Sequence, residues 1–193
     1  FQYPHPEELV VFPDNHDMSR FYVQVNRDAD LFKMGIGFFL TTRGIPQIYY
    51  GTEIMMNHIG THDSEFRKPF PGGWTGDPVN GFTGQGLSPQ EKDAQQFIRK
   101  LLNWRKTKEV IHTGEMCHFL PFDGVYLFFR YNDKEKVMVV LNKNGGETLL
   151  QTGRLTEMLQ GCSTATEIVT GKKYTDLHAI TLPGKSISLF ELR

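Results

Sequence analysis

The chain has 193 residues, with 21 Lys and Arg against 22 Asp and Glu and a formal net charge of -1. That length buries a sizeable core in one large or two small domains, and the charge balance removes the electrostatic case for nucleic acid or an anionic membrane surface. No apolar stretch approaches the roughly 18 residues that a membrane-spanning helix needs. The start, Phe1-Gln2-Tyr3-Pro4-His5-Pro6, lacks the charged residues and apolar run of a signal peptide, and it lacks an initiator Met. The expectation is therefore a segment of a longer translation product. Cys117 and Cys162 lie far apart with no C-x-x-C pair. Two buried free thiols are expected rather than a disulfide or a zinc site.

In chain order, Leu9-Val10-Val11-Phe12 is an apolar run without polar alternation, the pattern of a strand buried on both faces of a parallel sheet. Leu31, Met34, Phe38 and Phe39 then fall on one face of a helix, which ends at Gly44 with Pro46 just beyond. A second strand is expected from Ile45 to Tyr50, which completes a βαβ unit. From Asn57 to Leu87 the chain is rich in Gly and Pro and has no periodicity, and loops of that length are commonly functional. Phe66, Phe70, Trp74 and Phe82 argue against disorder there. Ser88-Pro89-Gln90-Glu91 reads as a capping box, and Ala94, Phe97, Ile98, Leu101 and Leu102 form the buried stripe of the helix it opens.

From about Glu115 the pattern changes to short strands and turns. Strand-like runs occupy 124–131, 136–142, 164–169, 179–182 and 187–192, with a short helical turn near 155–159. The fold class expected is α/β followed by all-β, with an antiparallel β-sandwich at the C-terminal end. The chain is too short for a (β/α)₈ barrel of about 250 residues, yet it can hold the last two βα units of one.

The densest chemistry lies at the end of the first strand, in Phe12-Pro13-Asp14-Asn15-His16-Asp17. Two carboxylates, an amide and an imidazole in so short a run suit a catalytic strand end or a polar turn, and the run alone leaves both readings open. His58-x-x-x-His62 has the spacing of two metal ligands on a helical turn, but Gly60 interrupts it, and a pair of loop histidines is the expectation. His112, His118 and His178 stand alone. Phe119, Tyr126, Phe128 and Phe129 offer either a sugar platform or sandwich core, and core is expected.

Asp14-Asn15-His16-Asp17, followed by Gly44-Ile45-Pro46-Gln47-Ile48-Tyr49-Tyr50-Gly51-Thr52-Glu53, resembles the α-amylase superfamily, glycoside hydrolase family 13. The two motifs look like that family's barrel strands seven and eight. Arg67-Lys68-Pro69-Phe70-Pro71-Gly72-Gly73-Trp74 is most similar to the neopullulanase and cyclomaltodextrinase branch. The resemblance implies a division into residues 1–112, the C-terminal part of the catalytic barrel, and 113–193, the β-sandwich. It also implies a retaining hydrolase of α-1,4-glucosidic bonds in pullulan, cyclodextrins or maltooligosaccharides.

Residue by residue, the resemblance implies that Asp17 is the catalytic carboxylate that holds hydroxyls of the reacting glucose and helps distort its ring. His16 is implied to bind the same sugar, and Asp63 with Arg67 the next sugar towards the non-reducing end. Trp74 either stacks on a sugar or pins the loop. The family's nucleophilic Asp and acid/base Glu would lie upstream of Phe1, so the 193-residue chain alone is expected to be inactive. Glu53 is read as structural rather than as a replacement partner for Asp17. Ca²⁺ is common in the superfamily, but no ligand set in this segment supports it, and no other cofactor is implied. The expected partners are an α-glucan, the remainder of the barrel and, through exposed strand edges, a second copy of the segment. A periplasmic or secreted location is implied only by the likeness to neopullulanases. The alternative reading is a non-catalytic carbohydrate-binding or structural β module.

Overall fold

The computed structural model describes residues 3–193, so Phe1 and Gln2 of the opening run lie outside the described residues. The elements are β1 (Val10–Val11), α1 (Phe21–Gln24), α2 (Ala29–Thr41), β2 (Ile45–Pro46), α3 (Asp63–Phe66), α4 (Pro89–Lys106) and α5 (Glu109–His112). They are followed by β3 (Glu115–Phe122), β4 (Val125–Tyr131), β5 (Lys136–Asn142), β6 (Thr148–Gln151), α6 (Thr156–Leu159), β7 (Ala165–Glu167), β8 (Lys173–Tyr174), β9 (Ala179–Leu182) and β10 (Ser186–Leu192). No described helix is long and apolar enough to cross a membrane.

β1 and β2 pair in parallel, Val10 with Ile45 and Val11 with Pro46, on either side of α2. The βαβ unit is as expected, but both strands are shorter. The doubly buried reading of the first strand is corrected. Val10 is 51% exposed and Ile45 53%, because no described strand flanks the pair.

The remaining strands are antiparallel, six of them in the order β3-β4-β5-β10-β7-β8, with β6 and β9 forming a separate pair. Along the central strands side chains alternate between two buried faces. Phe128, Val137, Val139, Ile187 and Leu189 pack with the helices, in a cluster that includes Phe32, Ile36, Leu40, Ile98 and Leu101. On the other face Val125, Leu127, Phe129, Met138, Val140 and Phe190 meet Leu150, Ile180 and Leu182 of β6 and β9. Continuous apolarity therefore marks β4, β5 and β10, where helices cover one face and a strand pair the other. Phe128 and Phe129 are core, as expected.

The same geometry explains α2. Phe32, Met34, Ile36, Gly37, Leu40 and Thr41 are buried, so the helix is covered almost all round rather than along one stripe. Of the four residues expected to form that stripe, only Met34 is fully buried. Its N-cap, Asp28, accepts from the amides of Asp30 and Leu31 and pairs with Lys185 at 2.7 Å. α4 matches its sequence signature. Ser88 Oγ accepts from the Glu91 amide, and Glu91 Oε2 accepts from the Ser88 amide at 2.7 Å.

Arg130 joins the helices to the sheet. From β4 its guanidinium donates to the carbonyls of Thr41 and Thr42, at the C-terminal end of α2, and to Gly114. Cations are favoured there, because the last carbonyls of a helix lack partners. Burial, reinforced by the charges of Arg105 and Arg43, lowers its pKa to about 10, so it stays charged at neutral pH. Cys117 and Cys162 are free and half-buried rather than fully buried.

Candidate functional site

Beyond β1 the chain bends around two anchored side chains, Asp14 and Asn15. Asp14 turns inward and is buried, accepting from the Phe21 amide at 2.9 Å and from Thr52 Oγ at 3.0 and 3.1 Å. Burial raises its pKa against the opposing pull of those hydrogen bonds and of Arg20. Asn15 Oδ1 then accepts from the Asp17 amide at 2.9 Å, an Asx-type turn. That turn leaves His16 and Asp17 facing solvent, with His16 Nε2 3.2 Å from Asp17 Oδ2.

The long loop supplies the opposing groups. α3 carries Asp63 at its start, and Arg67 follows its last residue. Arg67 Nη2 donates to Asp17 Oδ1 at 2.8 Å, Arg67 Nε donates to the His16 carbonyl at 3.1 Å, and Arg67 Nη2 lies 3.5 Å from Asp63 Oδ2. His16, Asp17, Asp63 and Arg67, four of the five site residues expected from the sequence, therefore form one cluster. Each keeps 45% or more of its side chain exposed, so the cluster is open to a ligand.

Trp74, the fifth, makes no side-chain hydrogen bond to the other four. The residue is 72% exposed, while its amide and that of Gly72 donate to Asp77 Oδ2. Backbone ties, rather than a buried indole, hold this stretch of loop. Further along, Asn80 Oδ1 accepts from the Phe82 and Thr83 amides, and Gln95 on α4 donates to the Gly81 carbonyl. Glu53 lines a groove with Gln95, Ile98, Arg99 and Leu102 of α4.

Three supporting groups escaped the sequence reading. Arg20 is buried, donates to the Tyr50 carbonyl at 2.6 Å, and lies over the rings of Tyr49 and Tyr50 at 4.2 and 4.8 Å. Its Nη2 has no partner among the described residues. Tyr50 in turn donates to the Lys68 carbonyl at 2.8 Å, which fastens the loop just past Arg67. The third group is His58, buried against Ser19. An arginine in a polar junction and a histidine in a Gly-rich loop carry no local signal of such partners. His58 and His62 form no ligand pair, and no group of three or more His, Cys, Asp or Glu side chains gathers as a metal site among the described residues.

Chemically, the cluster offers a carboxylate whose two oxygens are oriented by an imidazole and a guanidinium. Such a group accepts hydrogen bonds from paired hydroxyls, the chemistry of a sugar ring.

Residues 116–191 match the family model of the Cyclo-malto-dextrinase C-terminal domain. A cyclomaltodextrin glucanotransferase of Bacillus sp. (strain 1-1) is 32% identical over 162 residues, which covers 79% of this chain and 20% of the relative. A solved cyclomaltodextrin glucanotransferase with a three-domain ABC distribution aligns with 99% of this chain and 38% of its own, at 27% identity and a TM-score of 0.70. The α-amylase of Geobacillus thermoleovorans shares the fold, with a TM-score of 0.74 over 99% of this chain and 40% of its own at 21% identity. The chain spans about a fifth of the length of the curated relatives it matches. In sequence and in fold the chain is similar to cyclomaltodextrin glucanotransferases and, over residues 116–191, to the Cyclo-malto-dextrinase C-terminal domain.

Proposed function

We propose that this chain is the C-terminal part of a retaining α-glucan hydrolase, similar to neopullulanases and cyclomaltodextrinases, that cleaves α-1,4-glucosidic bonds in pullulan, cyclodextrins or maltooligosaccharides. The observation that carries this reading is the convergence of His16 and Asp17 with Asp63 and Arg67, from two motifs about fifty residues apart. The match of residues 116–191 to a cyclomaltodextrinase domain supports the branch. The glucanotransferase relatives support transfer to an acceptor sugar when one outcompetes water.

In this reading residues 1–112 supply strands seven and eight of the (β/α)₈ barrel with the loop after strand eight, and 113–193 supply the β-sandwich domain. Val10 and Ile45, exposed on β1 and β2, present faces that neighbouring barrel strands cover. Asp17 and His16 hold the hydroxyls of the glucose that reacts. Hydrogen bonds that tighten as the ring flattens toward its oxocarbenium-like transition state lower the barrier. Asp63 and Arg67 hold the next sugar, and Trp74 offers an exposed stacking face. The nucleophile and the acid/base come from upstream sequence. They must lie about 5–5.5 Å apart, and Glu53 is read as a structural carboxylate rather than as a partner for Asp17.

Reducing-sugar release from pullulan and a cyclodextrin tests this, with the 193-residue chain and the full-length enzyme assayed side by side. Release by the full-length enzyme alone is expected. Release by the chain alone, abolished by Asp17→Ala, would overturn the assignment of the chemistry to upstream residues.

A further inference from the structure

We propose that His58 is a positioning residue of this site, locking the Asp63–Arg67 turn onto the segment that carries Asp17. The inference rests on the proposed reading of those residues as glucan-binding groups.

The His58 side chain is buried within an otherwise exposed stretch of loop, and the residue is 5% exposed. Its Nδ1 lies 2.6 Å from the Gly60 carbonyl and its Nε2 lies 2.7 Å from Ser19 Oγ. A carbonyl oxygen only accepts, so Nδ1 carries the proton. In the neutral ring Nε2 then accepts from the serine hydroxyl. The ring also meets Phe66 edge-on, with centroids 4.6 Å apart, and Arg27 donates to the His58 carbonyl at 2.8 Å.

Ser19 stands two residues after Asp17, and Phe66 immediately precedes Arg67. The imidazole thus bridges the two segments that meet in the cluster, 39 positions apart in sequence. Arg67 bridges them too, but through Asp17 Oδ1 and the His16 carbonyl. A sugar that hydrogen-bonds to Asp17 competes with Arg67 for that oxygen. The His58 tie uses no atom of Asp17, Asp63 or Arg67, so it keeps the turn in register while the ligand exchanges with the ion pair. Preorganisation of this kind must be built into the supporting contacts, because long loops are costly to order at the moment of binding.

A merely structural tie lowers stability and leaves substrate choice alone. A positioning tie changes how much a longer substrate gains by reaching Asp63 and Arg67. The test measures kcat/KM in the full-length enzyme for a long and a short maltooligosaccharide, together with Tm, for Ser19→Ala, His58→Ala, His58→Gln and Asp17→Asn. Ser19→Ala keeps the ring and its packing, which guards against simple misfolding of His58→Ala.

The expected result is a drop of about tenfold in the long-to-short ratio for Ser19→Ala and His58→Ala, at a Tm within a few degrees of wild type. Partial recovery is expected in His58→Gln, whose amide oxygen can still accept from Ser19. A wild-type ratio in Ser19→Ala and His58→Ala, with activity lost in Asp17→Asn, overturns the positioning role and leaves the functional reading standing. Full activity in Asp17→Asn overturns the functional reading itself.

Discussion

Arg67 donates to Oδ1 of Asp17 across 2.8 Å although fifty positions separate them. The same guanidinium reaches the His16 carbonyl through Nε at 3.1 Å. A planar fork serves both acceptors from two separate nitrogens, whereas a lysine ammonium carries all its donors on one. Arg67→Lys is therefore expected to raise KM for maltooligosaccharides by about tenfold in the full-length enzyme. Its side chain is 45% exposed, so Tm should stay within about 2 °C of wild type. Steady-state kinetics paired with thermal melting check both halves.

The buried Arg130 makes the opposite prediction. Its three backbone acceptors have no other described donor side chain that spans both α2 and β4. Arg130→Met removes a buried charge, which relieves desolvation, but leaves those carbonyls without it. Each buried unsatisfied group costs about 1–3 kcal/mol. A net loss of about 2–3 kcal/mol is expected, read as a lower urea midpoint at unchanged slope.

Gly37 lies where α2 crosses β10. A Cβ there would sit 2.8 Å from Cδ1 and 3.0 Å from Cγ2 of Ile187. Gly→Ala in a helix ordinarily gains about 1 kcal/mol, whereas overpacking costs about 1–3 kcal/mol. Ile187 is buried and β-branched, so its Cγ2 has little freedom to withdraw. Gly37→Ala is expected to lose about 1 kcal/mol net, and adding Ile187→Val, which deletes Cδ1, should recover part of that loss. Denaturant titration of the single and double variants measures the coupling.

At the other end of the sheet, Lys108 lies 2.9 Å from Glu191 and 3.1 Å from Glu135, and Trp104 Nε1 donates to Glu191 at 2.6 Å. Burial raises the Glu191 carboxyl, but the hydrogen bonds from Lys108 and Trp104 and the Lys108 charge outweigh it, holding the pKa below 4.5. The folded state therefore binds this proton less readily than the unfolded one. The contribution is full above about pH 4.5 and is lost as pH falls through the lower folded value. Glu191→Gln should be less stable than wild type near neutral pH by on the order of 1 kcal/mol, and the gap should close in acid. Urea midpoints of both proteins across that range give the answer.

Much of the fold was legible in the sequence where the signal is local. Ser88 and Glu91 announced α4, and the apolar stripe from Ala94 to Leu101 is its buried face. The β4–β5 hairpin followed from two apolar runs around Asn132–Glu135. Burial was legible only where the covering partner could be inferred. The run Leu9–Phe12 and the central strands have similar composition, yet only the latter are covered on both sides. For the site, the resemblance singled out His16, Asp17, Asp63 and Arg67. That Arg67 lands on Asp17, and that His58 and Arg20 fasten the surroundings, depends on partners 30 or more positions away. Spacing along the chain does not encode such contacts.

The most direct test of the account is hydrolysis of a cyclodextrin by the full-length enzyme with and without Asp17→Asn. The substitution keeps the shape of the side chain but removes its charge and turns one of its two acceptor oxygens into an amide donor, so it can no longer accept from two sugar hydroxyls through separate oxygens. A loss of about 10²–10³-fold in kcat, with Tm preserved, is the result predicted for a group whose hydrogen bonds tighten in the transition state. Unchanged kcat and KM in Asp17→Asn would contradict it, and would leave the cluster around Arg67 as a surface ion pair without a part in glucan cleavage.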